Sequence, residues 1–335
     1  MATNNALAVS WSDLKNSLNP DGSAAQIIPI LELSCPVVKS SVVMQGNMTN
    51  GNQTNQQATK GTASKRTYNS GVAKSKKTDI PVVDLCSMFE ANVEIDLRLL
   101  EKYPNQAGYM TGQENAAIAA MTEDFENDFF YGDQKASILS IDGLATRLNK
   151  LSSVKTNKGY QIVSAGGSTN LTSLYLAGWG QGGASLFYPQ GSQAGIDRIV
   201  TPRQRVTDGD GNPYYAYCSN VNWQVGLAVE NYRMLGRIAN IDTVALASFG
   251  SGTDTSPKLL DFVVTVKNRL QYKNGYKFAW YCNEATYGVL ERMARDKAGY
   301  QLSIRDVMGG APELYLNGWQ VFMSDKITSA EAVVS

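Results

Sequence analysis

The sequence predicts an α+β fold on three observations. One apolar stripe at helical spacing runs through residues 106–130, a glycine-punctuated stretch at 151–250 carries strand patterns, and the tail from 251 alternates helix, strand, helix, strand. With 335 residues, 43% hydrophobic and only 18% charged, the chain has material for a sizeable core. At roughly 100–200 residues per domain, it forms two domains or one with excursions.

In chain order, Trp11 and Leu14 suggest a short amphipathic turn, Asn19-Pro20-Asp21-Gly22 is a turn signal, and 27–33 reads as an extended apolar piece interrupted by Pro29. From Ser40 to Thr78 there is no acidic residue but six basic ones, Lys60, Lys65, Arg66, Lys74, Lys76 and Lys77. Rich in Asn, Gln, Thr and Gly, this segment cannot offset its ordering entropy alone. It reads either as a solvated loop or as a long β-hairpin arm that orders against an acidic neighbour, with 41–44 and 78–83 as strand roots.

Leu85, Phe89, Val93 and Leu97 recur every four residues, which predicts a short amphipathic helix over 84–101 ended by Tyr103-Pro104. The strongest helix follows. Ile118, Met121, Phe125 and Phe129 form one stripe, alanines at 116, 117, 119 and 120 add propensity, and Gly132 stops it. About 25 residues at 1.5 Å each span roughly 37 Å. Its other face is acidic, with Glu114, Glu123, Asp124, Glu126 and Asp128 expected at the surface.

Segments 172–177 and 221–229 read as strands, with Asp208-Gly-Asp-Gly-Asn-Pro213 as a turn between them. Ser256-Pro257 predicts a capped helix carrying Leu259, Val263, Val266 and Leu270 and closed by Asn274-Gly275. Residues 277–282 form a strand, Asn283 caps a helix running to about Lys297, and 318–323 is a last strand.

Thirty basic and thirty acidic side chains cancel, which argues against a dedicated nucleic-acid binder. The absence of histidine removes Ser-His-Asp and Cys-His nucleophiles and every His-ligated metal site. Cys35, Cys86, Cys218 and Cys282 have no metal or redox spacing. No signal peptide and no apolar run long enough for a bilayer are present, so a soluble cytosolic chain with no membrane partner is expected. Gly178-Trp-Gly-Gln-Gly-Gly183 matches GxGxxG, but a short strand ended by Pro189 follows instead of the helix a dinucleotide site needs. Read as a calcium loop, 208–211 would put Val206 and Tyr217 where ligands belong, so a hairpin turn is the better account. No cofactor or metal is expected. Two further functional classes stay open: an enzyme using a carboxylate pair without histidine, favoured if Glu123 or Glu126 lay in a buried cleft, and a nucleic-acid-binding module using basic residues 60–77 with Tyr68.

Three pieces in order resemble a known family. The acidic helix leads into Phe129-Phe-Tyr-Gly-Asp133 and Ile141-Asp-Gly-Leu144; Thr172-Ser-Leu-Tyr-Leu-Ala-Gly-Trp-Gly pairs with Leu186-Phe-Tyr-Pro-Gln-Gly191; and Phe278-Ala-Trp-Tyr-Cys-Asn283 precedes a helix and Gly318-Trp-Gln-Val-Phe-Met. Together these are similar to the major capsid proteins of tailed bacteriophages with the Hong Kong 97-type fold, and the resemblance spans nearly the whole chain. It implies an N-terminal arm (1–39), an extended E-loop hairpin (40–82), a P-domain with spine helix (83–150), a β-rich P-domain sheet or insertion (151–250) and an A-domain (251–335).

The resemblance further implies a structural, non-enzymatic coat subunit that self-assembles into pentamers and hexamers of an icosahedral shell around double-stranded DNA. Its implied partners are itself, a scaffolding protein, a portal, a decoration protein and packaged DNA held non-specifically. Assembly would occur in the host cytoplasm, and the product would reside in the virion. The basic residues of the arm and the five acidic helix residues are then candidate contacts between subunits.

Overall fold

The computed structural model describes residues 35–335 except 60, 193, 250–255, 296–301 and 306–312. The turns and extended piece expected before residue 34 therefore lie outside the described residues. A short helix α1 (Pro36–Ser40) leads to β1 (Val43–Gln45), then β2 (Gly51–Thr59) and β3 (Thr78–Leu85). β2 and β3 pair antiparallel from Gly51↔Leu85 outward to Thr59↔Thr78. The hairpin reading of this segment thus describes the backbone, with one correction. Its first root is 51–59, because Val43–Gln45 instead pairs parallel with β7 (Ala184–Tyr188).

A second correction concerns 84–101. Residues Ser87–Asp96 form strand β4, and only Leu97–Leu100 is helical (α2). A spacing of four is a multiple of two as well as about one helical turn, so Leu85, Phe89, Val93 and Leu97 fit either period. β-branched Val93 and Ile95 and the long partner β9 (Pro213–Val229) settle it, with Ser87↔Val225 through Asp96↔Ala216 in continuous register.

The long helix α3 (Gln106–Tyr131) starts where the Asn105 side chain accepts the Gly108 N–H at 3.0 Å. It ends at Gly132, whose N–H donates to Asp128 O at 2.8 Å. Gly143, before α4 (Leu144–Arg147), donates to Gly132 O at 2.9 Å. A Cβ on Gly143 would sit 2.6 Å from Asp128 O and 2.8 Å from Phe130 O, and one on Gly132 would sit 2.2 Å from Ile141 O. The Gly-Asp and Asp-Gly-Leu pieces are therefore two halves of one backbone-to-backbone contact.

After β5 (Ile162–Ser164), β6 (Leu171–Trp179) is buried along its whole length. Its neighbours are antiparallel β10 (Leu235–Asp242) on one side and antiparallel β11 (Lys277–Cys282) on the other. Beyond β11 lie parallel β14 (Trp319–Met323), then antiparallel β13 (Glu313–Leu316) and β12 (Leu302–Arg305). One face of this sheet, with Tyr175, Trp179 and Tyr281, packs on Phe125, Phe129 and Phe130 of α3. The other, with Leu174, Leu176, Ile238 and Trp280, packs on helices α6 (Leu259–Arg269) and α7 (Glu284–Arg295). Helix α5 (Thr243–Ala247) follows β10 in sequence.

Helix α6 begins two residues after Ser256-Pro257 and ends before Asn274-Gly275, a shorter element than the capping signals predict. Asn283 does cap α7, accepting the Thr286 N–H at 3.0 Å.

The 151–250 stretch is divided between two layers. β5, β6 and β10 join the strands after 276, whereas β9 pairs with β4 along one edge and with β8 (Ile196–Thr207) along the other. The boundary expected at 250 does not follow the strand pairing. The far end of β9 turns to pair with β7, linking the two layers. The turn at 208–212 closes the β8–β9 hairpin as expected, with the Gly211 N–H donating to Asp208 O at 3.1 Å.

Candidate intersubunit surface

The hairpin is fixed along its lower half, where Gln56 Nε2 donates to Val229 O at 3.0 Å, and exposed from 61 to 81. Asp84 is buried; its Oδ1 pairs with Arg147 Nη2 at 2.8 Å, and its Oδ2 accepts the Val229 N–H at 3.1 Å. Arg147 also donates from Nε to Asp142 O at 2.8 Å and from Nη2 to Leu227 O at 3.0 Å. One buried carboxylate thus ties the arm to α4, the loop before it and β9. By contrast, every residue from 61 to 81 is exposed, Tyr68 at the tip to 98%. Lys65, Arg66, Lys74 and Lys76 have no ion-pair partner among the described residues, Lys77 pairs with Asp79 at 2.9 Å, and Lys60 lies outside the described residues.

The acidic helix departs from the expectation of a uniformly solvated face. Glu114 is buried; its Oε1 accepts from Arg198 Nη2 at 2.7 Å and from the Tyr217 hydroxyl at 3.1 Å. Glu126 is buried too, and burial raises its pKa from 4.5 to about 7 against the opposing pull of the Ser324 hydroxyl and Lys326. Asp128 is half-buried, its pKa raised chiefly by desolvation. Only Glu123 and Asp124 are exposed, and Glu123 pairs with Lys326 at 2.8 Å. α3 is covered on more sides than one apolar stripe requires, because β8 and the 324–327 segment pack beside it.

A second acidic surface escaped sequence reading. Along β4, Phe89, Val93 and Ile95 turn toward the core, so Glu90, Asn92 and Asp96 are exposed and Glu94 is half-buried on the opposite side. Glu90 accepts from Asn220 Nδ2 and Glu94 from the Tyr214 hydroxyl. The signal was the apolar–polar alternation of 89–96, hidden by the helical interpretation of the same residues.

Clefts of about 430, 440 and 370 Å³ are lined by neither Glu123 nor Glu126. Among the described residues no three His, Cys, Asp or Glu side chains gather as a metal site. The glycine run at 178–183 leads into strand β7, where no helix N-terminus is available to hold a phosphate.

A family model described as major capsid protein GP7 matches residues 19–335. The cryo-EM structure of bacteriophage Epsilon15 aligns over 100% of this chain and 99% of its own at a TM-score of 0.71 and 21% identity. The capsid of bacteriophage JBD30 aligns over 93% of this chain and 94% of its own, at a TM-score of 0.44 and 10% identity. The SrpI encapsulin complex of Synechococcus elongatus PCC 7942 covers 70% of this chain and 96% of its own, at a TM-score of 0.43 and 14% identity. No curated protein matches the sequence.

Proposed function

The chain belongs to the major capsid protein GP7 family and is a viral coat subunit with a Hong Kong 97-type fold, and from that premise we propose that its exposed basic arm makes contacts between neighbouring copies in the shell. The observation that supports this reading is the contrast between the buried Asp84–Arg147 base and the wholly exposed stretch 61–81. A hairpin held firmly at one end, with its 61–81 stretch wholly exposed, is built to be completed by another molecule. Its paired portion alone reaches about 25 Å at roughly 3.3 Å per residue.

In this reading 1–39 is the N-terminal arm, 40–82 the E-loop, and α3 with the β4–β9–β8 sheet the P-domain. The A-domain takes β5, β6 and β10 together with 251–335. The subunits form pentamers and hexamers of an icosahedral shell, built in the host cytoplasm with a scaffolding protein and portal and carried in the virion. A decoration protein and non-specifically held double-stranded DNA complete the partners. The role is structural, and neither an enzymatic nor a sequence-reading function is required of any residue.

Sedimentation velocity of the full chain, with electron microscopy of fast fractions, tests this. Shells or sheets of capsomers are expected from the parent chain with its scaffold. A 61–77 deletion should keep the parent's folded body and lose the particles. A deletion variant that assembles as the parent does would refute the role given to the arm.

A further inference from the structure

We propose that the cleft between β5, the end of α6 and the loop at 150–158 is a binding site for a phosphate group. The sequence already marks this region. Between Asp142 and Asp197 there is no acidic residue, and the basic ones are Arg147, Lys150, Lys155 and Lys158. Arg147 is held by Asp84, whereas the three lysines are exposed and have no ion-pair partner among the described residues. Their loop is closed by its own hydrogen bonds. The Ser152 N–H donates to Gly159 O at 3.3 Å, the Asn157 N–H to Val154 O at 3.0 Å, and the Tyr232 hydroxyl to Thr156 O at 2.7 Å. Gly159 approaches so closely that a Cβ there would sit 2.2 Å from Lys150 O, which brings Lys150 beside Lys158.

The cleft of about 440 Å³ beside this loop has Ser152, Ser153, Ser164 and Arg269 as its polar lining and no carboxylate. What remains unused on these four side chains is a set of donors. A hydroxyl carries one proton and two lone pairs. Ser164 Oγ accepts from the Gly166 N–H at 3.2 Å and from Asn240 Nδ2 at 2.9 Å, and Ser152 Oγ accepts from the Val154 N–H at 3.2 Å. Both hydroxyl protons are therefore left to donate. Arg269 gives both Nη1 protons to backbone, at Tyr160 O and Ile162 O, and its guanidinium stacks over the Tyr160 ring at 4.4 Å. This fixes the planar group and leaves the Nε–Nη2 edge, which grips an oxyanion through two parallel bonds. The Leu151 N–H on the rim is already satisfied by Ser335 O at 3.1 Å. A phosphate accepts at every oxygen, so it satisfies such a cleft, whereas a cationic ligand would leave the donors unpaired. The site stands on this geometry alone. That the phosphate comes from packaged duplex DNA, with the three lysines on neighbouring phosphates, rests on the coat-subunit reading; free phosphate is the other source of the same chemistry.

Two measurements on the full, unassembled chain test the site and its source. Melting in phosphate is compared with melting in chloride of equal ionic strength, and anisotropy follows a labelled short duplex DNA. Phosphate at about fifty times its dissociation constant should raise the parent's midpoint by about 3 °C. Ser153→Asp places a negative charge in the cleft and breaks no hydrogen bond of the fold; it should remove that rise while melting like the parent in chloride. Lys150→Ala, Lys155→Ala and Lys158→Ala together should weaken duplex binding at least about tenfold and lower its log–log salt slope by about three. Duplex displaced by inorganic phosphate, and lost in both variants, makes nucleic acid the source. Phosphate protection with duplex binding equal in all three chains keeps the site and assigns it free phosphate. No protection of the parent, or equal protection of Ser153→Asp, overturns the site. Particle formation by sedimentation separates the two readings: a chain that binds phosphate but never assembles sinks the coat-subunit role and spares the cleft, and a chain that assembles without protection does the reverse.

Discussion

Replacing Glu331 by alanine removes the acceptor at the centre of the most buried ion pair in the described fold. Its Oε2 pairs with Arg237 Nη2 at 2.8 Å, with both side chains 4% exposed. Its Oε1 accepts from the hydroxyls of Tyr131 at 2.6 Å and Tyr175 at 2.9 Å, and Ser173 donates to Oε2. The carboxylate therefore joins the last residue of α3 to β6 and β10, and burial with the neighbouring carboxylate keeps both tyrosine pKa values raised. After its loss the guanidinium still reaches Leu148 O at 2.6 Å and Ser173 Oγ at 3.0 Å, but its charge stays buried without a counter-ion. Orphaning one member of a buried pair costs about 3–5 kcal/mol. At about 2.1 cal/mol/K per residue, 335 residues give a midpoint shift of about 1.4 °C per kcal/mol. The expected fall is about 6 °C by circular dichroism of unassembled chain. Arg237→Met with Glu331→Leu should recover part of that loss, because neither partner is left alone. A Glu331→Ala chain melting within about 1 °C of the parent would refute the reasoning.

Phe129→Ala should cost about 3–5 kcal/mol by denaturant unfolding, since the ring is fully buried against Trp179, Tyr281 and Phe130. Gly143→Ala should destabilise by about 1–3 kcal/mol, because the added methyl meets backbone that cannot swing away. Lys326→Ala, which breaks a partly exposed pair with Glu123, should change stability by less than about 1 kcal/mol. Glu126 gives a pH signature. Its folded pKa is raised from 4.5 to about 7, so the folded state holds the proton longer and stability falls as pH rises between those values. Glu126→Gln should flatten that fall, giving the variant its greatest relative advantage above pH 7 and none below pH 4.5; equal slopes in the two chains would remove the assigned cause.

Local patterns made much of this architecture legible. α3 could be read because its apolar stripe repeats at a period only a helix satisfies, and Gly132 ends it by a constraint carried in one residue. Strands 172–177 and 221–229, the 208–213 turn and the Asn283 cap likewise depend on neighbours within a few positions. The acid-free composition of 40–78 marked the arm, because a segment with so little to bury cannot form a core wherever it is placed.

What folding added is non-local. Residues 87–96 became a strand because β9, with partners 120 to 138 positions later, offered a complete ladder; their spacing alone was compatible with either period. Glu114 and Glu126 look identical to Glu123 along the helix, yet Arg198 and the 324–327 segment bury the first two and leave the third in solvent. The 151–250 strands split between two layers because hydrogen-bond partners are chosen across the sheet, which leaves no mark in the intervening sequence. Chain composition determines how much charge an assembling subunit carries. Where that charge can meet a neighbour depends on which side of each strand and helix the core has claimed.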